Sequence, residues 1–145
     1  TALVNVLMLN SGETLSSPRV LQEVGSSVMV NVHYLYDRFL EADAEPPPFV
    51  ESIWDQYVAF RRERDANRTI SEVHSSHYGH LDEEEARFVT PELIRECAIV
   101  GQPGDIVEQL TDLEKQGLDG INFIPPVDQQ YDIYSKFASE VIQRM

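Results

Sequence analysis

The sequence predicts an α/β fold of about three parallel strands and several helices, and three observations carry that expectation. The segment Leu3-Val4-Asn5-Val6-Leu7-Met8-Leu9 is a near-continuous apolar run rich in β-formers. Such runs suit strands covered by helices on both faces, the usual condition of parallel sheets. The last roughly 50 residues alternate short apolar runs with amphipathic stretches, a pattern that normally yields parallel strands joined by a right-handed crossover. Long segments between them repeat at helical spacing.

In chain order, the opening strand spans Ala2 to Leu9 and stops at the turn-forming Asn10-Ser11-Gly12-Glu13. Ser17-Pro18 starts a helix, serine as N-cap and proline at the first helical position. Val20, Val24, Val28, Val32 and Tyr36, joined by Leu21, Leu35 and Phe39, give it one apolar stripe over about five or six turns. Gly25 inside it costs about 1 kcal/mol against alanine unless close packing requires it. Glu41 to Pro48 is a breaker segment. A second helix follows from Phe49, with Phe49, Ile53, Tyr57 and Phe60 on one face and Trp54 and Val58 beside them, running out into Arg61-Arg62-Glu63-Arg64-Asp65. From Ala66 to Phe88 no strong period is visible, and the reading is mostly loop with room for a short helix. Thr90-Pro91-Glu92 caps and opens a short helix through Arg95. Cys97 to Val100 is a buried strand. Gly101-Gln102-Pro103-Gly104-Asp105 starts a helix with apolar face Ile106, Val107, Leu110 and Leu113, closed by Gly117 in the left-handed position. Ile121 to Ile124 is a further strand, and Tyr134, Phe137, Ala138, Val141 and Met145 give a last amphipathic helix.

Three such strands leave two open apolar edges, which a stable domain rarely tolerates. With no initiator Met and an opening in mid-strand, the expectation is one unit, residues 1–145, cut from something larger, and a tendency to form homo-oligomers. The net charge of −14 repels phosphates and anionic membranes, so neither nucleic acid nor membrane is expected as a partner. The single cysteine, Cys97, allows no internal disulfide. No apolar run approaches the roughly 20 residues that span a bilayer, and no signal peptide is visible, which fits a cytoplasmic protein.

Four segments carry a family likeness: Phe88 to Ile94; Ile99-Val100-Gly101-Gln102-Pro103-Gly104-Asp105; Leu110 to Asp119; and Ile121 to Pro125. In this order they resemble the end of luciferase-like monooxygenases, most closely the deazaflavin-dependent branch. Asn10 to Glu13 with Ser17 to Val20 is similar to the turn and helix after a mid-barrel strand of that branch. His77-Tyr78-Gly79-His80-Leu81 resembles its His-x-Gly-His loop. Gln102, where members often carry Thr or Ser, is a departure. The resemblance implies the C-terminal half of a (β/α)₈ TIM barrel of roughly 300 residues. It further implies a flavin- or deazaflavin-dependent oxidoreductase or monooxygenase with FMN or deazaflavin (coenzyme F-420) as cofactor, and a small-molecule substrate. The family's catalytic base usually lies in the earlier half, so no catalytic residue is assigned, and this chain alone is expected not to catalyse. Its partner would be the missing N-terminal half.

Barrel sites lie at the carboxyl ends of strands. On that basis Gly101 and Gly104 are candidates to admit an anionic cofactor tail to backbone N–H groups, although such starts are common without a ligand. Arg95 is a candidate for a charge-assisted contact with the same tail, against the plainer role of a helix-end cation. His77, His80 and Glu13 are candidates to line the substrate pocket. His74, His77 and His80 lack the convergence a metal site needs, so none is expected. His33, between apolar neighbours on a helix, reads as a satisfied core or interface histidine, and Asp82 to Glu85 as a solvated face. The alternative function is a non-catalytic half-barrel that oligomerises.

Overall fold

In the computed structural model, residues 1–66 and 80–145 are described. The chain is mixed α/β, with short parallel strands and five helices among the described residues. The opening apolar run forms two strand pieces, β1 (Ala2–Leu3) and β2 (Asn5–Met8), separated only by Val4. It meets β3 (Ala98–Gly101) and β4 (Ile121–Asn122), both in parallel register: Asn5 to Met8 lie beside Ala98 to Gly101, and Ala2 and Leu3 beside Ile121 and Asn122.

Hydrogen bonds give the strand order. Ala2 and Val4 donate to Gly120 and Asn122 carbonyls, whereas Leu9 donates to the Gly101 carbonyl. Even-numbered N–H groups of the opening run therefore point to one neighbour and odd-numbered ones to the other. The opening run is central, with β3 on one edge and β4 on the other. The two late strands point the same way but are not adjacent, which departs from the expectation of a side-by-side pair.

Helices cover both faces. Alternation along the run sends Leu7 and Leu9 to one face and Val4, Val6 and Met8 to the other. The first face carries α1 (Pro18–Ala42), α2 (Glu51–Asp65) and α3 (Pro91–Cys97), through Val24, Val28, Tyr36, Trp54, Tyr57 and Leu93. The second carries α4 (Pro103–Lys115) and α5 (Gln130–Glu140), through Ile106, Leu110, Phe137 and Val141. A continuous apolar strand is what two helical layers demand. A barrel segment would differ, because its consecutive strands are neighbours and its helices form only the outer ring.

The helix signals act as read. The Ser17 hydroxyl accepts from the Val20 N–H and the Thr90 hydroxyl from the Leu93 N–H. α1 runs to Ala42 and ends on Asp43 at φ 50°, whose N–H donates to the Phe39 carbonyl; a short polar residue tolerates this left-handed cap. At Gly25 an added Cβ would lie 2.6 Å from the Leu81 side chain, so close packing explains the glycine.

Three expectations need correction. The acidic run is not wholly a solvated face: Glu85 is fully buried, its carboxylate 3.0 Å from both His33 and Arg64, while Glu83 and Glu84 are exposed. Nor does the basic end of α2 simply run out into solvent. Arg61 and Arg64 are buried, Arg61 donating to the Tyr57 hydroxyl and lying 4.7 Å over the Tyr36 ring. Their aliphatic stems bury as well as an apolar side chain does. The last helix buries Ile133, Phe137 and Val141 rather than the whole anticipated stripe; Tyr134, Ala138 and Met145 are exposed.

Candidate functional site

Because the strands are parallel, their carboxyl ends and the loops that follow them gather at one end of the sheet. The turn after β2 is folded around Glu13. Its carboxylate accepts from the Asn10 N–H at 2.9 Å, the Ser17 hydroxyl at 2.9 Å and Arg19 Nε at 2.8 Å. Arg19 also donates to the Met8 carbonyl at 3.0 Å and pairs with Glu23 one turn along α1. This is a salt-bridge network anchored to the strand end. The guanidinium bond, ahead of the backbone and hydroxyl donors, pulls the Glu13 carboxyl down to about 2. Burial pushes Glu23 the other way, above the usual carboxylate range, partly opposed by Arg19.

The Gln102 side chain donates to the Asn10 carbonyl at 3.1 Å, tying the loop after β3 to the loop after β2. Lys136 of α5 reaches the Asn10 side chain at 3.4 Å. Two cavities flank the Glu13–Arg19 pair. One, about 550 Å³, is lined by Leu9, Glu13, Thr14, Leu15, Arg95, Val100 and Gln109. The other, about 200 Å³, is lined by residues including Met8, Arg19, Glu23, Asp132 and Lys136. Neither Arg95 nor Lys136 has a carboxylate within ion-pair distance among the described residues, in a chain of 25 acids and 11 bases.

Of the residues singled out in the sequence, the structure brings Glu13 and Arg95 into one cavity. Gly101 is buried beside the Gln102 bridge, and a Cβ there would lie 2.6 Å from Asp105 Cβ. Gly104 is exposed, with nothing within 4 Å of a built Cβ. The start of α4 already carries a carboxylate, since Asp105 accepts the Gln102 N–H at 2.9 Å. An incoming anion would compete with Asp105 for those N–H groups. His80 is exposed and lines neither cavity. His77 and His74 lie outside the described residues. Among the described residues there is no group of three or more His, Cys, Asp or Glu that could hold a metal ion, and no helix long and apolar enough to cross a membrane. Cys97 is half-buried at the far end of β3, its thiol pushed up to about 11 by burial, and it takes no part in this face.

Arg19, Glu23 and Lys136 were not singled out in the sequence, and Gln102 only as a departure from the family pattern at a helix start. The first two were accessible to reading, because their spacing of four on a helix start is an ion-pair signal. Gln102 and Lys136 join residues 92 and 126 positions away, and no local pattern encodes that.

No protein-family model matches the chain, and neither a curated protein nor a solved structure shows significant similarity to it.

Proposed function

We propose that this chain is the C-terminal part of a luciferase-like (β/α)₈ oxidoreductase, in which it forms one wall of the pocket for FMN or deazaflavin. The observation that carries the reading is the cavity of about 550 Å³ at the strand carboxyl ends, where Arg95 stands without a carboxylate partner among the described residues. A guanidinium in such a place favours an anionic ligand group by charge-assisted hydrogen bonds. The cofactor when bound would supply the hydride chemistry. This chain's part would be positional: Arg95 on the anionic tail, Gln102 and Asn10 holding the rim, and Leu9, Leu15 and Val100 excluding water. The ordered motifs from Phe88 to Pro125 support the same lineage. In a complete barrel β4 would lie beyond β3 instead of across the opening run.

The test is the full reading frame and what its product binds. The proposal expects roughly 150 to 200 residues of βα alternation upstream of Thr1, judged from barrel size. It also expects quenching of flavin or deazaflavin fluorescence by the full-length protein. Arg95→Ala should weaken that binding by about tenfold or more, the usual loss for a hydrogen bond to a charged group. A full-length protein that binds neither cofactor would remove the redox role.

A further inference from the structure

We draw no further inference here: the strongest candidate, the cavity of about 200 Å³ between the start of α1 and α5, where buried Glu23 lies beside Arg19, Asp132 and Lys136, rests on a placement of α5 that the barrel proposed above does not share.

Discussion

Buried charge is concentrated on a few side chains whose removal should be costly. Glu85 is fully buried against His33 and Arg64, and its removal leaves the buried Arg64 paired with Asp82 at 3.0 Å but short of one carboxylate. Glu85→Ala should therefore lower the free energy of unfolding by about 1–3 kcal/mol in urea titrations. A loss below about 1 kcal/mol would show that the interior there is wet. Glu13 gives a different signature. Its carboxyl titrates at about 2 in the folded chain against an ordinary 4.5, so the folded state binds its proton less readily. The stabilisation is whole above about pH 4.5 and is lost as pH falls toward about 2. Glu13→Gln should flatten the dependence of stability on pH across that window and leave the neutral-to-alkaline slope alone. Chemical denaturation repeated at several pH values checks both halves. The identity of Glu85 as a core residue was not legible, because the run Asp82-Glu83-Glu84-Glu85 has the composition of a surface; tertiary placement of Arg64 and His33 buries its last member, and Arg64 also reaches its first, Asp82, at 3.0 Å.

At the scale of elements, most starts and stops were legible because they depend on neighbours in the chain. Ser17 and Thr90 cap their helices through side-chain oxygens, and alanine at either position should cost about 1 kcal/mol. Gly117 ends α4 at φ 99°, as a left-handed terminus asks. Element lengths were less legible. β4 is two residues where four were expected, and the opening strand is broken at Val4. Strand length depends on which neighbours supply hydrogen bonds, and those neighbours are more than 90 residues away. Gly101→Ala tests the tie between α4 and β3. The added methyl meets Asp105, so the substitution should disturb the Gln102 cap and destabilise by about 1–3 kcal/mol, read by thermal or urea unfolding.

For the molecule as a whole, the strand order is the feature most open to direct test. Leu3 and Asn122 are register partners in neighbouring parallel strands, and both side chains are exposed. In a Cys97→Ser background, Leu3→Cys with Asn122→Cys should form a disulfide under mild oxidation, since adjacent strands place Cα atoms in the usual bridging range of about 4.4–6.8 Å. Formation supports the central position of the opening run. Failure, with instead a ready bridge between the 98–101 and 121–124 segments, would support barrel order in solution.

What the sequence determined alone is the local and compositional layer: parallel strands from continuous apolar runs, helices from their periods and caps, and an acidic surface from the count of Asp and Glu. Each follows from a residue and neighbours within one or two helical turns. Tertiary structure decided the rest. Which strand lies central, which end of the acidic run is buried, which face of the last helix is free, and how Asn10, Gln102 and Lys136 meet all depend on contacts between distant segments. Those contacts compete for the same apolar surface, and only the complete packing, with both sheet faces covered, selects among them.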